Sequence, residues 1–355
     1  MKTIAVVGYF GWGNFGDQLF LDTVRRRREE LWPGSSEILA LTSRDLGRHA
    51  TAGPLGALVR AAHSLRILRR ADVLAYCGGS VFTDVSGVDA LRRRLRPARV
   101  QALGVSVGPF ADEQARQDVK QYLGEFERIV VRDDSWTLLQ EDLPLLPEPV
   151  AGPPAGIEQG GDIAALSPLI TQAADDERSG LVVCPSAAAD ADVDLLAEQL
   201  LQARRAMRLR GLPAPVRILA LNGHPRNGDE QLVRALAAAL RDQGVECTTS
   251  SFLEIGLEGT LAALGSASLV LSQRLHGAIV AYLSGGRFLM LDHHAKCRAF
   301  VEDVSGDAAV CVPVDAPDLS EALEAALSPE RSPVREPEEY IRHAERIYLG
   351  QMAHA

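Results

Sequence analysis

Three cationic side chains follow apolar runs of the sequence and have the chemistry needed to bind or protonate an anion. Arg132 ends the run "IVVR", His276 follows "LVLSQRL", and Lys296 follows "FLMLDHHA". In α/β folds, ligands bind where parallel strands end, so these side chains can meet at one site. Arginine and lysine carry a permanent charge, whereas an imidazole exchanges a proton near neutral pH. We therefore predict a site for a small, multiply charged anion, with His276 as its acid or base.

Two of these residues also have purely structural interpretations. Arg132 is followed by two aspartates, with which it can form a local ion pair, and His276 can be an exposed turn residue. A cation two positions before a histidine, as Arg274 is before His276, tends to lower the proton affinity of an imidazole, whereas a bound phosphate would raise it. The sequence leaves both interpretations open. Lys296 differs, because lysine is rare in this arginine-rich chain and a lysine kept after a strand suggests a chemical role.

Three glycine- and serine-rich turns follow further apolar runs in the first half of the chain. They are "GYFGWGNFGD" (8–17), "GGS" (78–80) and "GVSVGP" (104–109). Glycine permits tight turns and a close approach of the backbone to a ligand, and the turns match neither a GxGxxG motif nor a P-loop. Asn14 and Asp17 can instead stabilise the turn and cap the next helix. The substrate-binding candidates are Gly11, Asn14, Asp17, Gly78, Gly79, Ser80, Ser106 and Gly108, together with Arg274.

Short apolar runs alternate with helix-period segments along most of the chain. This alternation predicts an α/β protein with parallel sheets, built as two Rossmann-like domains that face each other across a cleft. We expect a first domain over residues 1–150, a proline-rich linker region over 151–180, a second domain over 181–330 and a helical tail over 331–355. The predicted strands are Thr3–Val7, Ile38–Leu41, Val73–Tyr76, Ala102–Val107, Ile129–Arg132, Leu181–Cys184, Val216–Leu221, Val245–Thr248, Leu269–Ser272 and Phe288–Leu291. The predicted helices are Phe20–Leu31, Gly56–Arg70, Asp89–Leu95, Glu113–Phe126, Asp192–Leu209, Glu230–Asp242 and Gly277–Ser284.

Composition and charge exclude several classes of function. The formal net charge is −10, and residues 151–355 carry 17 basic against 28 acidic side chains, so we expect no nucleic-acid partner. Five cysteines occur without a CxxC spacing, which is typical of reduced thiols in the cytoplasm. We expect no signal peptide and no membrane span. His293 and His294 beside Asp292 resemble metal ligands, but three adjacent residues rarely converge on one ion, so we expect no metal site.

The quoted motifs resemble those of the polysaccharide pyruvyl transferase family. The matching stretches are Gly8–Asp17, Gly78–Ser80, Gly104–Pro109, Arg132 with its following "DDS", Arg274–His276, and Asp292 with Lys296. The resemblance implies a GT-B-like pair of domains and transfer of the enolpyruvyl unit of phosphoenolpyruvate to a sugar, which forms a pyruvate ketal and releases phosphate. It implies that Arg132, His276 and Lys296 contact phosphoenolpyruvate, that the first domain holds the acceptor, and that no cofactor or metal takes part.

Two segments depart from the family pattern, and other functions stay open. The segment "CPSAAADAD" (184–192) lacks an arginine that the family often carries, and "DHHAK" replaces a version with tyrosine. A nucleotide-sugar glycosyltransferase on the same fold and an inactive sugar-binding relative are the alternatives. The acceptor can be lipid-linked, and the arginine-rich segments 24–30 and 91–99 suggest a peripheral contact with the inner face of the membrane.

Overall fold

The structure, a computed structural model, describes residues 2–41, 62–85, 99–139, 156–190, 192–305, 308–328 and 333–350. The chain divides into two compact units, each with its own parallel sheet. Unit 1 comprises Met1–Trp12, Asp17–Ser167 and Arg342–Ala355, and unit 2 comprises Gly13–Gly16 and Pro168–Ile341. A helix predicted over residues 89–95, with the arginine-rich segment around it, lies outside the described residues. Within the described ranges, no helix is both long and apolar enough to cross a membrane.

The sheet of unit 1 is built from short, largely buried apolar strands. In chain order these are β1 (Lys2–Val7), β2 (Ser35–Leu41), β3 (Val73–Cys77), β4 (Ser80–Phe82), β5 (Arg99–Val107), β6 (Arg128–Val131) and β7 (Ile157–Gln159). Their order across the sheet is β2-β1-β3-β5-β6-β7, and β4 pairs with the end of β5. All of the pairs are parallel. The chain leaves β1 toward one side and returns to β3 on its other side, which creates a switch point between β1 and β3.

Helices cover the faces of this sheet. They are α1 (Phe15–Arg26), α2 (Arg28–Leu31) and α3 (Glu113–Leu123), and residues 62–68 are also helical. Helix α3 begins where Asp112 accepts a hydrogen bond from the amide of Ala115 (2.8 Å). On one side of the sheet, Tyr76, Phe82, Tyr122 and Phe126 form an aromatic cluster in edge and tilted contacts.

Unit 2 repeats the design with six described strands. They are β8 (Leu181–Cys184), β9 (Val216–Ala220), β10 (Cys247–Ser251), β11 (Leu269–Ser272), β12 (Phe288–Asp292) and β13 (Cys311–Pro313). The order is β10-β9-β8-β11-β12-β13, again entirely parallel. Here the switch point lies between β8 and β11. Its helices are α4 (Val193–Leu209), α5 (Glu230–Asp242), α6 (Phe252–Gly265, interrupted at Gly256), α7 (Leu275–Leu283), α8 (Ala295–Ser305) and α9 (Ser320–Leu327).

The last helix, α10 (Pro337–Leu349), returns the chain to unit 1 from Arg342 onward. The Tyr348 hydroxyl donates to the carbonyl of Gly161 (2.6 Å), and an imidazole nitrogen of His343 lies 2.8 Å from the carbonyl of Gln159. Tyr348 is completely buried. The C-terminal segment is therefore part of the fold of unit 1.

The predicted α/β class with two Rossmann-like sheets is confirmed, and three details differ. The region expected to be a linker contributes β7 to the sheet of unit 1, and the unit boundary falls between Ser167 and Pro168. The strands β4, β7 and β13 were missed because each has three residues, too few for a periodic pattern. Residues 13–16, expected in the first domain, group with unit 2 because they bond to its backbone, as described below.

Candidate active site

The switch point of unit 1 brings the loops after β1 and β3 together. Gly79, in the loop after β3, has a φ of +76°, which favours glycine. A Cβ built at Gly79 would lie 3.6 Å from Cδ2 of Tyr9 and 3.9 Å from Oδ1 of Asp17. Its neighbour Gly78 has a φ of +69°, and a side chain there would overlap the ring of Phe20. Gly78 thus leaves room for Phe20, whereas Gly79 supplies a positive φ next to Tyr9 and Asp17.

Arg132 lies just beyond the end of β6 and is enclosed by protein groups. Its Nε donates to Oγ of Ser106 (2.6 Å) and lies 3.3 Å from Oδ2 of Asp133. Nη1 is 3.7 Å from Oδ2 of Asp162, and Nη2 is 3.5 Å from Oγ of Ser80. The side chain of Arg132 is only 5% exposed. The local ion pair with Asp133 that the sequence suggested is therefore present, together with a second carboxylate that it did not suggest.

Ser80, Ser106 and Gly108 line the same edge of unit 1. Ser106 also donates to Oδ2 of Asp133 (2.5 Å), so that one carboxylate bridges Ser106 and Arg132. Gly108 has a φ of +70° and Gly11, in the loop after β1, a φ of +83°. Unit 1 thus gathers the serines, glycines and arginine expected at its strand ends.

The second part of the glycine-rich loop belongs to unit 2. The amide of Phe15 donates to the carbonyl of Leu221, and the amide of Gly223 donates to the carbonyl of Gly13, both at 2.9 Å. Oδ1 of Asn14 accepts from the amide of Gly16 (2.9 Å) and so stabilises the turn. This segment therefore lies along the chain that leaves the carboxyl end of β9.

Gly16 lies against the imidazole of His276. A Cβ at this position would overlap Nδ1, Cε1 and Cγ of the ring. His276 stands in the first turn of α7, directly after the end of β11. The loop thus forms one wall of the space around His276, and Gly16 is required there because a larger residue would overlap the ring.

At the switch point of unit 2, Gln273 joins the two central strands. Its Oε1 accepts from the amide of Ser186 (2.8 Å), and its own amide donates to the carbonyl of Cys184 (2.9 Å). Both side chains are buried, and within the described part of the chain neither Nε2 of Gln273 nor Oγ of Ser186 has a hydrogen-bond partner. These two donors stand at the edge where ligands bind in such folds.

Asp229 is the main site residue that the sequence analysis missed. It is completely buried and accepts hydrogen bonds from the amides of Ala187 and Asn222 (both 3.0 Å). Its carboxylate also binds Arg274 in a bidentate pair, with Nε at 3.0 Å and a short contact to Nη2. Asp229 therefore ties the ends of β8, β9 and β11 together. The signal for it was an acidic residue at the start of helix α5, but its partner Arg274 is 45 residues away.

Arg274 binds Asp229 through Nε and Nη2, so the N–H groups of Nη1 are available to another group. In the described part of the chain no hydrogen-bond partner of Nη1 is found. A guanidinium held in this way presents one fixed edge to an anion.

The end of β12 adds a second cluster next to β11. The amide of His294 donates to Oδ1 of Asp292 (2.9 Å), and Arg298 pairs with Oδ2 (3.0 Å). Lys296 lies in the first turn of α8 and is half-buried. Burial lowers the pKa of His293, and the charges of Arg274 and Lys296 lower it further, against a smaller opposing effect of Asp292. His293 therefore lies within the electrostatic reach of both cations.

The predicted site residues fall into two groups, one in each unit. Unit 1 holds Gly11, Asp17, Gly78, Gly79, Ser80, Ser106, Gly108 and Arg132, and unit 2 holds Asn14, Arg274, His276 and Lys296. That Arg132 acts on the same substrate as His276 stays a prediction. Among the described residues, no group of three or more His, Cys, Asp or Glu side chains is arranged to hold a metal ion.

Comparison with known proteins assigns both a family and a fold. The family model described as polysaccharide pyruvyl transferase matches residues 14–295. No curated protein sequence matches the chain significantly. Among solved structures, UDP-GlcNAc 2-epimerase from Methanocaldococcus jannaschii, in complex with UDP-GlcNAc and UDP, is similar with a TM-score of 0.59 and 14% identity over 98% of both chains. The enzyme of the same name from Neisseria meningitidis has a TM-score of 0.56 and 11% identity over 100% of both chains.

At such low identity the solved structures show the fold alone. Together with the two parallel sheets, they show the GT-B-like, two-domain fold that the sequence predicted. The family match covers the glycine-rich loop from Asn14 onward, Arg132, and the segment that carries Arg274 and His276.

Proposed function

Because this chain belongs to the polysaccharide pyruvyl transferase family, we propose that it transfers the pyruvyl group of phosphoenolpyruvate to a sugar. The acceptor is a cell-surface polysaccharide or its lipid-linked precursor, and the products are a pyruvate ketal and phosphate. The observation that supports this proposal is the cluster of Arg274, His276, His293 and Lys296 at the ends of the neighbouring strands β11 and β12. Such a cluster suits a substrate with both a phosphate and a carboxylate.

The chemistry requires one proton to be added and two to be removed. The methylene carbon of phosphoenolpyruvate gains a proton, and the adjacent carbon becomes electrophilic. A sugar hydroxyl attacks that carbon and loses its proton, the C–O bond to phosphate breaks, and a second hydroxyl closes the ketal. The two hydroxyl protons balance the one now on the methyl group and the one carried away by phosphate.

We assign the proton transfers to His276. It stands in the first turn of α7, where backbone amides and the positive end of the helix dipole favour an anion. Gly16 keeps one face of its ring against the loop. An imidazole in this position can deliver the first proton and later accept one from a hydroxyl.

Arg274 and Lys296 are assigned to the negative charges of phosphoenolpyruvate. Asp229 orients Arg274 so that Nη1 is presented, and Lys296 adds a compact ammonium. These cations stabilise the phosphate as its charge grows during bond breaking. We propose that Arg132 contacts phosphoenolpyruvate from unit 1. Because its side chain is enclosed by protein groups, Arg132 also holds Ser80 and Ser106 in position. The proposal assigns these steps to side chains of the protein and includes no metal or cofactor.

We further propose that the protein works in the cytoplasm. All five of its cysteines are free thiols, which suits a reducing compartment. A contact with the inner face of the membrane is a separate hypothesis. In the arginine-rich segment 24–30, Arg26 and Arg27 pair with Asp22 and Glu30, which partly neutralises the positive charge available for such a contact.

The decisive experiment measures phosphate release from phosphoenolpyruvate across a panel of lipid- and nucleotide-linked sugars. We expect release that depends on one acceptor, and a ketal methyl signal in the NMR spectrum of the product. Phosphate release without any dependence on acceptor would point to hydrolysis instead. Thermal stabilisation by UDP- or GDP-sugars but not by phosphoenolpyruvate would favour a nucleotide-sugar glycosyltransferase. If neither phosphate release nor this stabilisation is found, an inactive sugar-binding relative is the remaining alternative.

A further inference from the structure

Tyr9 and Trp12 are the exposed aromatic residues of this chain. All 18 of its aromatic side chains lie in described segments, and 16 of them are buried or partly buried. Tyr9 is 53% exposed and Trp12 is 47% exposed. Single exposed apolar residues are ordinary on a protein surface. Two large aromatics within four positions of one loop, and none elsewhere, call for an explanation.

The position of this loop favours ligand binding. It follows β1 at the switch point between β1 and β3, where ligands bind in open α/β sheets. A Cβ built at Gly79, in the neighbouring loop, would lie 3.6 Å from the ring of Tyr9 and 3.9 Å from the carboxylate of Asp17. An aromatic face, a hydrogen-bond acceptor and bare backbone thus meet at one place.

We infer that Tyr9 and Trp12 form an aromatic platform on which a pyranose ring of the acceptor stacks. A pyranose presents a face of C–H groups bounded by hydroxyls, so it matches an aromatic ring flanked by a carboxylate. The C–H face packs on Tyr9 and Trp12, and a hydroxyl donates to Asp17. The inference rests on the proposed function only in identifying the bound sugar as the acceptor.

The local charge favours a sugar over a lipid surface. Tyrosine and tryptophan are also enriched at membrane interfaces, where basic residues usually accompany them. The loop "GYFGWGNFGD" contains no Lys or Arg and ends in Asp17. Its carboxylate would be repelled by anionic phospholipids, whereas it is a suitable partner for sugar hydroxyls.

Trp12 provides a direct measurement of this binding. The other two tryptophans, Trp32 and Trp136, are only 4% and 5% exposed, so acrylamide quenches mainly Trp12. The experiment measures this quenching in the full-length protein with a panel of methyl pyranosides and soluble oligosaccharides, without phosphoenolpyruvate. We expect at least one sugar to protect Trp12. Tyr9→Ala should raise the sugar concentration required by about tenfold, because one stacking face is lost.

Three further variants separate stacking from general damage. Tyr9→Phe keeps the ring and should retain the protection, whereas Tyr9→Leu keeps the bulk and should lose it. Leu209→Ala removes another exposed apolar side chain, 78% exposed at the end of α4, and should have no effect. Circular dichroism and thermal melting confirm that each variant is folded.

The inference is overturned if no sugar protects Trp12, if Tyr9→Ala is protected as well as the unchanged protein, or if only anionic phospholipid vesicles protect it. These outcomes are distinct from failure of the proposed function. If sugars protect Trp12 but no phosphate is released from phosphoenolpyruvate, the aromatic platform is supported and the proposed reaction is rejected. If phosphate release depends on the acceptor and the Tyr9→Ala/Trp12→Ala variant has an unchanged KM for the acceptor, the proposed reaction is supported and the aromatic platform is rejected.

Discussion

Gly16 and His276 are in direct contact, and a single methyl group on Gly16 would overlap the imidazole ring. The contact involves a residue from the start of the chain and the candidate acid or base of unit 2. It explains why the glycine-rich loop continues past Gly13. It also yields a prediction that no other glycine of the loop shares.

Gly16→Ala should displace the His276 ring and impair proton transfer. A general acid or base contributes about 10²–10⁴-fold in rate, and a misplaced one loses much of that, so kcat for phosphate release should fall steeply. The double variant Gly16→Ala/His276→Ala is the control, since without the ring the overlap is absent. The free energies of unfolding should therefore be non-additive, with the double variant more stable than the sum of the single changes predicts. Strict additivity would mean that the contact does not exist in solution.

Asp229→Asn should destabilise unit 2 strongly. It leaves the partly buried Arg274 without its carboxylate partner, a change that typically costs about 3–5 kcal/mol when an ion pair is buried. The adjacent Glu230 offers a matched control, because its pair with Arg234 is exposed on both sides. Glu230→Gln should cost less than about 1 kcal/mol. Urea unfolding measures both, and equal costs would show that Asp229 does not hold the strand ends together.

Elements whose signal is local were predictable from the sequence. The strands Leu181–Cys184 and Leu269–Ser272 and the helix Glu230–Asp242 have the bounds that their apolar patterns predict. The family assignment is also confirmed, because its motifs are contiguous stretches of residues. In both cases the information lies within a window of a few residues.

Features that depend on distant contacts were not predictable in this way. Asp229 meets Arg274 only when three parallel strands end side by side. The transfer of residues 13–16 to unit 2 depends on backbone hydrogen bonds to Leu221 and Gly223, which leave no trace in side-chain type. Helix α7 begins at Leu275 rather than at Gly277, and this places His276 inside its first turn.

Arg132→Met should lower the stability of unit 1 as well as any activity. The substitution leaves Asp133 and Asp162 without their shared cation in a nearly buried site, so we expect a loss of about 3 kcal/mol or more. Arg99→Met, in the same sheet, removes an arginine whose pair with Glu127 is about half exposed and should cost at most about 1 kcal/mol. Thermal unfolding compares the two. A fully stable Arg132→Met variant would show that the ion pairs of Arg132 with Asp133 and Asp162 do not stabilise unit 1.

His293 should titrate below its ordinary pKa of 6.5. In the folded protein this imidazole resists protonation, whereas in the unfolded chain it accepts a proton near pH 6.5. The unfolding free energy should therefore decline as the pH falls from about 6.5 toward the lower folded pKa, and His293→Gln should reduce this decline. NMR titration of the imidazole measures the pKa directly. Lys296→Met should raise it, because a nearby positive charge is removed, and an unchanged pKa would separate Lys296 from His293 in solution.

Lys296→Ala and His276→Ala should fail in different ways. Removing a charge-assisted hydrogen bond costs about 1.5–3 kcal/mol, so Lys296→Ala should raise the KM for phosphoenolpyruvate about 10- to 100-fold. Lys296→Arg should restore only part of this, since a planar fork does not replace a compact ammonium. His276→Ala should instead retain phosphoenolpyruvate binding while kcat falls by about 10²–10⁴-fold. Lys120→Ala, which removes an exposed lysine from α3, should change neither constant. Steady-state kinetics with one acceptor tests all four variants, and normal constants for both Lys296→Ala and His276→Ala would exclude this edge of unit 2 as the donor site.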